Sequence, residues 1–60
     1  MSNKIKELRL KRGLTQEDLA KKVGVSRVSV VFWEQGKALP HASRIKAVAK
    51  ALRCKVTDLL

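Results

Sequence analysis

Arg27, Val28, Val31, Phe32 and Gln35 are the residues of this chain best placed to touch another molecule. At about 100° per residue, Val28, Val31, Phe32 and Gln35 form one i, i+3, i+4, i+7 stripe on a helix. Val30, Trp33 and the aliphatic stem of Glu34 share the opposite, inward face. Arg27 lies one turn before Val31. An outward apolar stripe beside an arginine marks an interaction surface, because solvated helix faces are normally polar. Three readings stay open. The stripe can meet DNA, with the Arg27 fork on guanine O6 and N7 and the Val and Phe side chains on thymine methyls. It can meet a protein, such as an antirepressor, a toxin, polymerase or a second copy of the chain. Or Val31 or Phe32 can simply pack on a neighbouring loop.

Other chemistry is poorly provided for. Ser26 and Ser29 have no histidine placed by any motif to activate them, so a nucleophilic enzyme is not expected. The lone His41 lacks Cys or acid partners at ligand spacing and is read as a loop residue near phosphate, not as a metal ligand. No cofactor is implied. Cys54, the single cysteine, reads as a small hydrophobe in a reducing compartment. No apolar run approaches the roughly 18 residues of a membrane span, and Met1 to Lys4 has no signal-peptide pattern. Charge is the strongest bulk property: 14 Lys and Arg against 5 Asp and Glu give +9 on 60 residues. Such a field favours a polyanionic partner.

The elements that must hold these residues are short helices. A first is expected from about Asn3 to Arg12, with Ile5 and Leu8 inward. Thr15 and Asp18 have the spacing of a capping box, an N-cap hydroxyl with an acid three residues on. A second helix should therefore run from about Gln16 to Val23, and Ser26 should cap a third, from about Arg27 to Gln35. Pro40 favours an extended residue before it. A fourth helix follows from about Ala42 to Leu52, with Lys46, Lys50 and Arg53 on its outer side, and Thr57 is read as the cap of a last turn through Leu60. Gly13, Gly24 and Gly36 each end a helical run, where a left-handed residue is most often needed. The segments starting at Ala20 and Ala49 look faintly alike, which is read as two similar helix ends.

The expected fold is all-α: a five-helix bundle formed by residues 1–60 as one domain. Its core should contain Ile5, Leu8, Leu14, Leu19, Ala20, Val23, Val25, Val30, Trp33, Ile45, Val48, Ala49, Leu52, Val56 and Leu59. Trp33 is read as core and not as a base-stacking platform, because it is in register with Val30. Ala20 and Gly24 are both read as small so that the third helix can cross closely. The second and third helices together have the pattern of a helix-turn-helix, whose second helix enters the DNA major groove.

The run Ile5-Lys-Glu-Leu-Arg-Leu-Lys-Arg-Gly-Leu-Thr-Gln-Glu-Asp-Leu-Ala, followed by Val23-Gly-Val-Ser and Trp33-Glu-Gln-Gly-Lys, resembles the Cro/repressor-type (XRE) helix-turn-helix family of the lambdoid phage repressors. Pro40 and the closing Val-Thr-Asp-Leu-Leu fit it too. The resemblance implies a lambda-repressor-like fold and a transcriptional regulator, most simply a repressor. It implies a homodimer on a palindromic operator in double-stranded DNA, in the nucleoid of a bacterial or phage-infected cytoplasm.

Position by position, the resemblance implies base readout by Arg27, Val28 and Phe32. It implies phosphate contact or positioning by Thr15, Gln16, Ser29, Lys37 and His41, and bracing of the third helix by Gln16. Arg9 and Glu34 match a structural ion pair. Val56, Leu59 and Leu60 match the surface through which monomers pair. The third helix departs from the family by lacking the Gln and Asn that commonly read adenine; Val28, Val31 and Phe32 stand outward instead. Val28 resembles a phage-repressor valine that grips thymine methyls. The same outward residues serve the alternative, a protein-interaction module such as an antitoxin or antirepressor partner.

Overall fold

A computed structural model describes residues 4–59. They form four helices of two turns or more and one single-turn helix: α1 Lys4–Lys11, α2 Gln16–Val23, α3 Arg27–Glu34, α4 Ala42–Leu52 and α5 Val56–Leu59. No strand occurs among the described residues. α2 packs on both α3 and α4, and α1 lies against α3, α4 and α5.

Local chemistry explains the start of α2. The Thr15 hydroxyl accepts from the Asp18 amide at 3.0 Å, and the Asp18 carboxylate accepts from the Thr15 amide at 2.9 Å. This reciprocal box satisfies two amides that have no partner within the helix. It holds the Asp18 carboxyl below the usual carboxylate range, through the Thr15 amide first and its hydroxyl second. Ser26 caps α3 more loosely, accepting from the Ser29 amide at 3.4 Å. Gln35, expected within α3, is its C-cap residue; such one-residue shifts are ordinary at frayed ends. Asn3, the expected start of the first helix, lies outside the described residues, and Arg12 follows the end of α1.

Helix ends follow one scheme. Gly24 ends α2 with φ 85° and donates to the Ala20 carbonyl at 2.8 Å. A Cβ there would meet only the Arg44 side chain, at 3.6 Å. Glycine is thus needed for its left-handed backbone and not to let α3 approach, which corrects the packing role expected of Gly24. Ala20 is buried, in keeping with its own. α4 ends in the same left-handed way at Arg53, φ 55°, with the Cys54 amide on the Ala49 carbonyl at 2.9 Å. An arginine occupies a conformation that costs an L-residue with a Cβ roughly 1–2 kcal/mol. The likeness between the Ala20 and Ala49 segments is therefore a likeness of helix ends.

The start of α5 differs from the sequence expectation. The helix begins at Val56, and the Lys55 amide donates to the Asp58 carboxylate at 2.9 Å. The Asp58 carboxylate, not Thr57, ties down this turn.

Leu19, Val30, Val48 and Leu52 are fully buried, with Ile5, Ala20, Val23, Trp33 and Ala49 around them. Burying each large aliphatic side chain contributes about 1.5–3 kcal/mol. Leu8, Leu14, Val25 and Leu59 pack partly buried against this core, as do Ala47, Ala51 and Cys54. Ile45 and Val56, also expected in the core, are half-buried and stand outside it. Each lies early in its helix, where a side chain reaches the rim of so small a core.

Candidate nucleic-acid interface

The position of α3 is set by its buried face. Val30 and Trp33 enter the core, so Trp33 is a packing residue. Glu34, on the same side, meets Arg9 of α1. The Arg9 guanidinium donates from Nε to Glu34 Oε2 at 2.5 Å and from Nη2 to Oε1 at 3.1 Å. Its Nη1 donates to the Leu14 carbonyl at 2.8 Å. The two side chains are only 9% and 4% exposed. A third group completes the set: Gln16 Nε2 donates to Glu34 Oε1 at 3.1 Å. α1, the first turn of α2 and the last turn of α3 are thus joined by directional bonds. A bidentate arginine–carboxylate fork fixes orientation as well as distance.

The opposite face of α3 is open. Arg27 is exposed in the first turn. Val28 is 54% and Phe32 43% exposed, one helical turn apart, while Val31 is half-buried. The loop after α3 returns to Phe32: the Lys37 and Ala38 amides both donate to the Phe32 carbonyl, at 3.0 and 3.4 Å. The Lys37 Nζ lies 5.9 Å from the centre of the Phe32 ring. Beyond it Leu39 is 81% exposed, an apolar side chain the sequence pattern did not single out.

The other expected site residues are placed as follows. Thr15 is committed to the capping box, and Ser29 Oγ lies 3.4 Å from Ser26 Oγ. His41 is exposed at the N-cap of α4 and makes no side-chain capping bond. Val56 and Leu59 are half-buried on α5, and Leu60 lies outside the described residues. Among the described residues no three His, Cys, Asp or Glu could hold a metal ion, and no helix is long and apolar enough to cross a membrane. Burial pushes the Cys54 thiol up, with the Asp58 charge adding to it.

Two basic residues do structural work that the sequence did not announce. Arg12 donates from Nε to the Leu52 carbonyl at 2.9 Å and from Nη2 to the Arg53 carbonyl at 3.2 Å. Arg44 donates to the Val23 carbonyl at 3.4 Å. Both meet the carbonyl end of a helix, where cations are favoured. Arg9, Arg12 and Arg44 thus commit positive charge to the fold. Arg27, Lys37 and the lysines of α2 and α4 face solvent.

Residues 5–59 match the family model described as Helix-turn-helix. The chain belongs to the Cro/repressor-type helix-turn-helix family. An uncharacterized HTH-type transcriptional regulator of Archaeoglobus fulgidus is 44% identical over 98% of this chain and 84% of its own length. The uncharacterized HTH-type transcriptional regulator YgzD of Bacillus subtilis is 39% identical over 98% of this chain and 89% of its own. Repressor protein C2 of Salmonella phage P22 is 37% identical over all of this chain and 28% of its own. No solved structure gives a significant match.

Proposed function

We propose that the chain is a sequence-specific DNA-binding transcriptional regulator, a repressor that grips a palindromic operator as a homodimer, each copy placing α3 in the major groove. The observation that carries this reading is the division of α3. One face is locked through Val30, Trp33 and Glu34, and the other offers Arg27, Val28 and Phe32 to a partner. Arg27 reads guanine by a bidentate fork, and Val28 and Phe32 read thymine methyls. Lys37, Gln16, Thr15, Ser29 and His41 lie at or near phosphates. Gln16 acts mainly through Glu34, with its amide oxygen left for a second contact. Val56, Leu59 and Leu60 supply the pairing surface. The work is done in the cytoplasm, on the nucleoid.

The names of the relatives support transcriptional regulation, and that of the P22 protein supports repression. Selection of bound sites from a random duplex library tests the reading, followed by salt titration on the selected site. With roughly four phosphates neutralised per copy, log affinity should fall with log salt at a slope near about −7 for a dimer. Replacing operator thymines by uracil should weaken binding about four-fold at each methyl that is read, since one buried methyl is worth about 0.8 kcal/mol.

The exposure of Val28 and Phe32, with Leu39 nearby in sequence, also favours a second reading in which this stripe meets a protein. That reading holds if no sequence is enriched, the salt slope is shallower than about −2, and Phe32→Ala abolishes association with a protein.

A further inference from the structure

We infer that Arg12 is a positioning residue that sets the geometry in which two copies pair on DNA, an inference that rests on the homodimer reading above. The last carbonyls of a helix have no partner within it. At the end of α4, the Ala49 and Lys50 carbonyls are satisfied by the Cys54 and Arg53 amides. Two further carbonyls, of Leu52 and of the C-cap Arg53, are held by the Arg12 guanidinium reaching from just past the end of α1, 2.9 and 3.2 Å away. The corner that Arg12 grips leads directly into α5. α5 has only four residues and no fully buried side chain. Burial alone therefore holds its angle weakly, and the left-handed Arg53 gives the corner a backbone that other conformations compete with. The grip on two successive carbonyls resists that competition.

Arg9 lies in the last turn of α1, and Arg12 follows directly after that helix, three residues on. Arg9 holds Glu34 of α3, and Arg12 holds the corner before α5. α1 is thus a bracket between the helix that meets the groove and the helix that carries Val56 and Leu59. In a dimer that bracket converts the angle of α5 into the separation of the two α3 helices. Half-site spacing is a geometric consequence of that separation.

The test uses the full chain, with Arg12→Met and Arg12→Lys as variants. Each is assayed well below its own melting temperature. Four duplexes built from the selected operator serve as probes: a single half-site, the full palindrome, and two palindromes with the centre lengthened by one and by two base pairs. Arg12→Met should leave half-site affinity within about two-fold, weaken full-palindrome binding by about ten-fold, and flatten the preference among spacings. Arg12→Lys, which keeps one charged donor, should recover most of both. A general loss of folding would lower half-site and full-site binding together and leave the spacing preference intact. That pattern, or unchanged full-site binding by Arg12→Met, overturns the inference. If the unaltered chain binds the palindrome no better than the half-site, the dimer reading itself falls and the role of Arg12 falls with it.

Discussion

Removing Glu34 should show how far the orientation of α3 depends on one buried fork. In Glu34→Ala, Arg9 keeps its bond to the Leu14 carbonyl and loses both bonds to the carboxylate, and Gln16 loses its partner. Both charged side chains are less than a tenth exposed, so water cannot replace the lost bonds without opening the structure. Stranding one member of a buried pair costs about 3–5 kcal/mol. A chain of this length has roughly 3–9 kcal/mol of stability, at about 0.05–0.15 kcal/mol per residue. The substitution should therefore remove from about a third of it to all of it. At about 4–8 °C per kcal/mol for a small domain, the melting temperature should fall by more than about 12 °C. Circular dichroism melts and urea titrations read this directly.

Arg9→Met and Glu34→Leu should each cost a similar amount alone, and the double variant Arg9→Met with Glu34→Leu much less than their sum. Replacing both members of a buried pair by apolar groups is often neutral. Raising salt to about 0.5 M should leave the cost of Glu34→Ala nearly unchanged, because buried pairs are little screened. A fall in melting temperature under about 4 °C, or strict additivity of the two single changes, would refute the reasoning.

Three further outcomes follow from the helix ends. Asp18→Asn should lower the melting temperature at pH 7. Because Thr15 holds the folded carboxyl below its unfolded value near about 3.9, the charged cap stabilises above that value and its contribution is lost as pH falls through the lowered one. The gap between Asp18→Asn and the parent should accordingly close in acid, and a gap constant with pH would show that the charge is not what matters. Arg53→Gly should raise stability by about 0.5–1 kcal/mol, the left-handed cost relieved less the extra freedom of unfolded glycine; a lower melting temperature contradicts this. Gly24→Ala should cost about 1 kcal/mol, whereas Gly24→Asn should cost less despite its greater size, since asparagine tolerates the left-handed region. Greater harm from asparagine would restore the close-approach explanation.

What could be read from the sequence was what depends on near neighbours. The Thr15–Asp18 box and the left-handed Gly24 are decided within a turn, so α2 runs from Gln16 to Val23 as predicted. The inward set Val30 and Trp33 followed from helical period alone. The Arg9–Glu34 pair spans 25 positions and was reached through family resemblance, not periodicity. Arg12 and the Leu52 carbonyl, 40 positions apart, escaped notice because any exposed arginine can reach a backbone carbonyl and no residue type marks the acceptor. Helical period places Arg53 only on the outer side of α4, although the likeness of the Ala20 and Ala49 segments sets it opposite Gly24. Ile45 and Val56 had core residue types and the right period, but in so small a core period cannot tell rim from centre.

The claim that the outward face of α3 reads DNA sequence is tested most directly by Arg27→Ala, measured at one fixed salt concentration on the selected operator and on a random duplex of equal length. Arg27 lies at the exposed start of α3, outside the Arg9–Glu34–Gln16 set, so the fold should melt as before. The account predicts a loss of about 1–3 kcal/mol on the operator, roughly 5- to 150-fold, with little loss on the random duplex and a relaxed preference at one guanine. Equal weakening on both duplexes, or unchanged binding to the operator, would contradict it.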